Sequence, residues 1–292
     1  MSAEQPLFLN RRSTINCRGH LIDTSIPKVM GIINITPDSF YSASRFRVES
    51  DINNRVEDII EEGGDMVDVG AYSTRPGADE LPEQEELDRL LPALTLIRKK
   101  YPDLIVSVDT FRSNIARCLV KEGLTDIIND VSGGEIDSAM FETIAELNVP
   151  YILMHNKGIP QNMQQKPVYS DVVAEVSLWM ARKVDILRGL GVNDIIIDPG
   201  FGFSKTLEHN YTLFSHIEEF DLFQLPILIG ISRKSMIYKL LKTDAGSALN
   251  GSSVLNTVAL MKGANILRVH DVKEAVECVK LVSKVKSASK FW

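Results

Sequence analysis

The residues hardest to explain on structural grounds are two adjacent cations, Arg233 and Lys234, in the string Ser232-Arg233-Lys234-Ser235. They fall at the predicted start of a helix, where the macrodipole disfavours positive charge and free backbone N–H groups already attract anions. Arg268 and His270 stand at the next predicted strand end and Arg75 across the mouth, so the set reads as a positive region for a substrate carrying phosphate, carboxylate or both. Opposite in sign are Asp109 and Asp198, with Asn129 between them in chain order. Two carboxylates and an amide suit a flat heterocycle that presents several N–H donors along one edge.

Each of these residues also has an ordinary structural use. Asp109 with Thr110 and Ser113, or Asp271 before the last helix, could serve as N-caps, and Asn129 and Asp198 could serve turns. His155 or His270 could be a satisfied structural histidine, and Gly200-Phe201-Gly202 is a weak phosphate signal because it makes no G-x-G-x-x-G motif. Recurrence is what carries the argument. Polar residues close eight successive predicted strands: Asn34, Ser73-Thr74-Arg75-Pro76, Asp109, Asn129-Asp130, His155, Asp198, Ser232 and Arg268-Val269-His270. Charge at that many strand ends is unfavourable unless something binds there.

The elements that position these residues follow from the hydrophobic pattern. Short apolar runs alternate with longer stretches of helical period, the mark of repeated βα units. The predicted strands are Val29–Asn34, Met66–Gly70, Leu104–Asp109, Asp126–Asp130, Pro150–His155, Asp194–Asp198, Pro226–Gly230 and Ile266–Val269. Ile195-Ile196-Ile197 is apolar without alternation, as expected of a parallel strand buried on both faces. Between them run amphipathic segments, such as Ile52, Val56, Ile59 and Ile60, and Val172, Val173, Val176, Met180, Val184 and Leu187. Eight strands and eight helices in about 260 residues fit a closed (β/α)8 TIM barrel better than an open doubly wound sheet.

Loop lengths distinguish the two ends of that barrel. Helix-to-strand connections are short and rich in Gly or Pro (Glu62-Gly63-Gly64, Tyr101-Pro102-Asp103, Gly189-Leu190-Gly191), whereas Thr36–Asp51, Ala71–Pro82 and Asn156–Ser170 are long enough to be functional lids. The chemistry is expected beneath them. A single domain is predicted over residues 1–292: residues 1–27 form an N-terminal extension whose runs Ser13–Cys17 and His20–Ile22 make a hairpin closing the barrel bottom, and residues 28–292 form the barrel.

Composition narrows the partners. A chain of 292 residues with 44% hydrophobic content can bury one large core, and 32 basic against 39 acidic residues, net −7, give no electrostatic case for nucleic acid or an anionic membrane. No apolar run approaches the roughly 20 residues of a membrane span, and Met1–Pro6 lacks the layout of a signal peptide, so a cytoplasmic location is expected. Cys17, Cys118 and Cys278 are far apart, without C-x-x-C spacing, and read as ordinary reduced thiols.

The strings MGIINITPDSF, DVGAYSTRPGA, VDT, INDVSGG, LMH, IIDPGFGFSK, GISRKS and LRVHD, in this order and at these strand ends, closely resemble the dihydropteroate synthase family of pterin-binding enzymes. The likeness runs from about Val29 to Asp271. MGIINITPDSF and STRPG are its specific signatures. It implies a transferase of folate biosynthesis that moves the 6-hydroxymethyl-7,8-dihydropterin group from its diphosphate to para-aminobenzoate, the site at which sulfonamides compete. Carried over, Asp109, Asn129, Asp198 and Lys234 would bind the pterin, with Asp109 and Lys234 catalytic. Arg268, His270 and Asn34 would bind diphosphate, Asn34 also holding Mg2+. Thr74, Arg75, Pro76, Phe203 and Ser232 would form the para-aminobenzoate site, and Asp38, Ser39 and Phe40 would lie on the first lid. The family resemblance also implies a homodimer through late helices.

Two departures stand out. Ala71-Tyr72 replaces the Gly-Glu pair expected before STRPG, and the first lid lacks the glycine pair common after DSF. Two other functions are open to such a chain. A pterin-binding methyltransferase serving a corrinoid protein would share the Asp-Asn-Asp pocket but has no need of Asn34, Arg75, Arg268 and His270. A non-catalytic folate-binding paralogue would keep the pocket without the chemistry.

Overall fold

The computed structural model describes residues 14–35, 45–71, 81–157 and 168–288, with side chains in the first helix from residue 49 onward. Strands β1 (Thr14–Cys17) and β2 (His20–Asp23) pair antiparallel around the tight turn Arg18-Gly19. The barrel strands follow: β3 (Lys28–Asn34), β4 (Met66–Gly70), β5 (Ile105–Asp109), β6 (Ile127–Asp130), β7 (Tyr151–Met154), β8 (Ile195–Asp198), β9 (Leu228–Ile229) and β10 (Ile266–Val269). They are parallel, in the order β8-β7-β6-β5-β4-β3-β10-β9. The Ile197–Ile227 bridge, with Ile197 N donating to Pro226 O at 2.9 Å, closes the ring as the (β/α)8 reading requires.

The connecting helices are α1 (Arg45–Glu61), α2 (Glu83–Lys100), α3 (Ser113–Lys121), α4 (Met140–Leu147), α5 (Val172–Gly189), α6 (Leu207–Ser215), α7 (Ser235–Leu241), α8 (Leu249–Met261) and α9 (Val272–Ala288). One helix per strand is expected, yet the crossover from β9 to β10 holds both α7 and α8. The reason is local: Lys242 turns left-handed (φ 54°) and ends α7, and Asp244 accepts from Ser247 N at 2.8 Å to make a turn before α8 begins. Ile59, Leu94, Ile115, Val176 and Leu187 come from the buried stripes of four helices and pack with the outward faces of the strands.

Inside the barrel the residues form layers. The lowest comprises Met30, Met66, Ile127, Ile152, Ile196, Leu228 and Ile266, with Ile105 against them, and the hairpin inserts Ile15 and Cys17 into the same cluster. The hairpin therefore closes the bottom, as expected. Asp126 ties it down by pairing with Arg18 and, at 2.8 Å, with Arg98, while Asn265 links Thr24 O (2.9 Å) to Ile227 N (3.0 Å). Burial pushes the Cys17 thiol up to about 12, with Asp126 adding to the effect, which makes it an inert core residue.

Candidate active site

Side chains on a strand alternate in direction, so the next inward layer lies two residues further along each strand. From the apolar floor this step reaches Ile32, Asp68, Ser107, Asn129, Met154, Asp198, Gly230 and Arg268. One step turns an oily layer into a polar one. Asp68 accepts from Ser107 Oγ at 2.7 Å and Asn129 Nδ2 at 2.9 Å, and Arg268 reaches Asp68 at 3.4 Å and Asp198 at 3.1 Å. Gly230 leaves space for this guanidinium, because a Cβ there would lie 3.2 Å from its Nη2. Asn129 Oδ1 is buried without a hydrogen-bond partner. A buried amide oxygen left unpaired is costly, and a ligand donor would satisfy it.

The third layer, at the mouth, is Asn34, Gly70, Asp109, Val131, Asn156, Gly200, Ser232 and His270. Ser232 is buried; its Oγ accepts from His270 N at 3.2 Å and lies 3.2 Å from His270 Nδ1. Arg55 of α1 donates to His270 O at 2.6 Å and lines, with Asn34 and Asp51, a hollow of about 220 Å3 at the rim. Lys234 Nζ donates to Phe201 O at 2.6 Å and lies 4.4 Å from the centre of the Phe203 ring.

Electrostatics concentrate in this region. Burial, and then the charge of Asp68, push the Asp109 carboxyl well above the usual carboxylate range, with Arg268 opposing. Lys234 is lowered to about 7 by burial and then by Arg268, with Asp198 and Asp109 pulling the other way. Burial lowers His270 despite Asp271. Burial also works against the Arg268 charge, but Asp198, Asp68 and Asp109 outweigh it. The site is thus poised: several groups sit where a bound anion or cation would change their protonation.

Most predicted site residues converge. Asn129, Asp198 and Arg268 share the polar layer, Asp109 stands one layer above them, His270, Ser232 and Asn34 stand at the rim, and Phe203 lies beside Lys234. Thr74, Arg75, Pro76 and the lid residues Asp38, Ser39 and Phe40 lie outside the described residues. One inference is corrected. Arg233 is no free anion receptor: it makes a two-pronged ion pair with Asp271 (2.9 and 2.8 Å) and donates to Ala245 O and Gly246 O. Its helix-start position is explained by that partner. Asp109 does not cap α3 either; Asp137 accepts from Ser113 N at 2.7 Å.

The strand-end reading overlooked Asp68, Ser107 and Lys205. Asp68 and Ser107 sit two residues before their strand ends, inside apolar runs, and only the two-residue step from the floor reveals them. The larger hollow, about 560 Å3, lies beside α5 and is lined by Glu135, His155, Tyr169, Glu175 and Trp179. Its carboxylates are already engaged, Glu135 by Lys183 and Trp179 and Glu175 by Lys157, so the chemistry belongs to the barrel mouth.

The donor set also bears on a metal. Among the described residues no three His, Cys, Asp or Glu side chains cluster as ligands, whereas Asn34 offers an exposed amide at the rim. A lone neutral oxygen fits Mg2+, which keeps water and substrate phosphate in its shell, better than it fits an ion caged by protein.

Comparison with known proteins agrees with this geometry. Residues 30–270 match the family model described as pterin binding enzyme. Dihydropteroate synthase of Escherichia coli (strain K12) is 41% identical over 273 residues, 93% of this chain and 96% of that enzyme. The fold matches Yersinia pestis dihydropteroate synthase in a sulfonamide drug complex with TM-score 0.86 at 37% identity, covering 94% of this chain and 99% of that one. It matches the Xanthomonas albilineans enzyme with 4-aminobenzoic acid with TM-score 0.85 at 33% identity, covering 94% and 98%. From the polar layer, the rim and these relatives together, the chain belongs to the dihydropteroate synthase family of pterin-binding enzymes.

Proposed function

We propose that the chain joins 6-hydroxymethyl-7,8-dihydropterin diphosphate to para-aminobenzoate, giving 7,8-dihydropteroate and diphosphate. The observation that carries this reading is the buried layer of Asp68, Asn129, Asp198 and Arg268, with an unpartnered Asn129 Oδ1, directly beneath a rim that carries Arg55 and His270. A pterin edge has the N–H donors that Asn129 and Asp198 accept, and a diphosphate has the charge that Arg268 and His270 complement. In the structure Arg268 donates to Asp198 at 3.1 Å. Substrate binding then exchanges partners: the pterin edge takes Asp198, and the guanidinium turns part of its donor capacity to the anion.

The reaction breaks the bond from the pterin methylene carbon to a diphosphate oxygen and forms one to the arylamine nitrogen, which loses a proton. Arg268 and His270 neutralise the leaving oxygens, and Asp109 supplies a carboxylate field for positive charge developing on the pterin methylene. Lys234 lies over Phe203, where the ring and ammonium together border the incoming amine. Thr74, Arg75 and Pro76 complete the aminobenzoate site in this reading, with Ser232 receiving its carboxylate. Asn34 would help hold Mg2+, which when bound would supply Lewis-acid neutralisation of the diphosphate.

Two coarser features support assembly and location. The packed helices α8 and α9 expose Val254, Met261, Leu281 and Val285, apolar surface that a homodimer would bury. A monomer in sedimentation equilibrium would contradict the dimer. Among the described residues no helix is long and apolar enough to cross a membrane, which accords with a cytoplasmic enzyme.

A diphosphate-release assay with purified protein tests the function. Release that requires both para-aminobenzoate and Mg2+ is expected. Pterin binding with no release would identify a folate-binding paralogue, and methyl transfer from a methylated tetrahydropterin to a corrinoid would identify the methyltransferase alternative.

A further inference from the structure

The turn between Asp198 and Phe203 is held in an unusual way. Gly200 (φ 71°), Gly202 (φ 82°) and Ser204 (φ 47°) are all left-handed, a region that residues other than glycine seldom enter. Three carbonyls of this turn accept from two lysines: Lys205 Nζ donates to Gly200 O at 2.9 Å and Phe203 O at 3.1 Å, and Lys234 Nζ donates to Phe201 O. The remaining neighbour of Lys205 Nζ is His155 Nδ1 at 3.0 Å. In its ammonium form Lys205 has three donors and no acceptor, so all three are used, with His155 accepting through Nδ1 and carrying its proton on Nε2.

His155 and Lys205 are both buried, and among the described residues no carboxylate forms a salt bridge with Lys205. Burial lowers Lys205 to about 7, with Asp198 opposing and Lys234 adding to the shift, and burial followed by Lys205 lowers His155 well below its ordinary value. His155 grips the turn from its backbone as well. Its N donates to Asp198 O at 2.9 Å, and its own O would lie 1.9 Å from any Cβ placed at Gly200. A buried cation with no carboxylate in direct contact is expensive to keep in an element that serves only as a connection. The carbonyls it holds are those that decide where the Phe203 ring stands.

We propose that Lys205 is a positioning residue for the aminobenzoate half of the site: its buried ammonium, capped by His155, fixes the Gly200–Phe203 turn and thereby holds the Phe203 ring against Lys234. Lys205 touches no reacting atom. It acts through two carbonyls, and of the pterin half of the site Asp109 and Asn129 make no contact with it, while Asp198 is set by its own strand β8, its Oδ1 accepting from Gly200 N at 2.8 Å. The inference rests on the reading that Phe203 borders para-aminobenzoate.

The test is steady-state kinetics in both substrates for the parent chain, Lys205→Met and Phe203→Leu. Lys205→Met is expected to raise KM for para-aminobenzoate by about tenfold while KM for the pterin diphosphate and kcat change by less than about threefold. Phe203→Leu must raise the same KM if Phe203 borders the amine; no effect there overturns the underlying reading and the proposal with it. If Phe203→Leu does raise it and Lys205→Met leaves it unchanged, or raises both KM values alike, positioning by Lys205 is refuted while the reading stands. Should Lys205→Met not fold, judged by loss of a cooperative urea unfolding transition, His155→Leu strips only the acceptor. It is expected to give the same substrate-selective rise, and a uniform loss or no change in it overturns the proposal.

Discussion

Replacing Arg268 with methionine removes the cation shared by Asp68 and Asp198 and keeps most of the side-chain volume. Arg268 is only 7% exposed and Asp68 and Asp198 are 5% and 1% exposed, so the carboxylates left behind stay out of water. Breaking a buried pair by removing one partner costs about 3–5 kcal/mol, which a protein with the usual stability of about 5–15 kcal/mol survives. The sign with pH follows from Asp109. Its carboxyl is already pushed up, and Arg268 is the cation that opposes the shift, so Arg268→Met raises it further. A carboxyl raised in the folded state binds more protons folded than unfolded in the window between the two values, so the variant regains stability as pH falls into it. Urea unfolding of the parent chain and Arg268→Met at pH 7.5 and pH 5.5 measures this. The expected penalty is about 3–5 kcal/mol at the higher pH and smaller by at least ~1 kcal/mol at the lower. A penalty under about 1 kcal/mol, or one equal at both pH values, would refute the view that Arg268 neutralises the pocket.

Asp109→Asn is expected to lower kcat much more than it weakens binding of the pterin diphosphate, since its charge is needed when positive charge develops; equal losses in both would reject that role. Diphosphate binding at pH 8 is expected to take up protons, because Lys234, lowered to about 7, and His270, lowered by burial, both gain charge beside an anion. Calorimetry in buffers of different ionisation enthalpy reads the uptake. It should diminish at pH 6, where Lys234 is already charged, and proton release at pH 8 would contradict the assignment.

Much of this architecture is legible in the order of residues. The βα alternation locates all eight barrel strands to within about two residues at each end, because parallel strands buried on both faces leave short unbroken apolar runs such as Ile195-Ile196-Ile197. The hairpin is equally plain from Arg18-Gly19 between two alternating runs. The second helix of the β9–β10 crossover is not, because α7 is ended by a left-handed lysine instead of a glycine. In the site, Asp109, Asn129, Asp198 and Arg268 stand out as polar groups at the ends of apolar strands. Asp68 does not, since one aspartate within Met66–Gly70 carries no signal until the floor residue Met66 fixes which direction it faces. Arg233 misleads for the opposite reason: its partner Asp271 is 38 residues away, and proximity of that kind is a property of the fold. Lys205 is hidden similarly, its acceptor His155 lying 50 residues earlier.

The central claim is that the layer above the apolar floor is the heterocycle pocket. A crystal structure of the protein with a pterin diphosphate tests it most directly. The account predicts the heterocycle's N–H edge within hydrogen-bond distance of Asn129 Oδ1 and Asp198, with Arg268 drawn from Asp198 toward the diphosphate. A pterin bound in the hollow beside Trp179, or in the barrel with the Arg268–Asp198 contact intact and Asn129 Oδ1 still unpartnered, would contradict it.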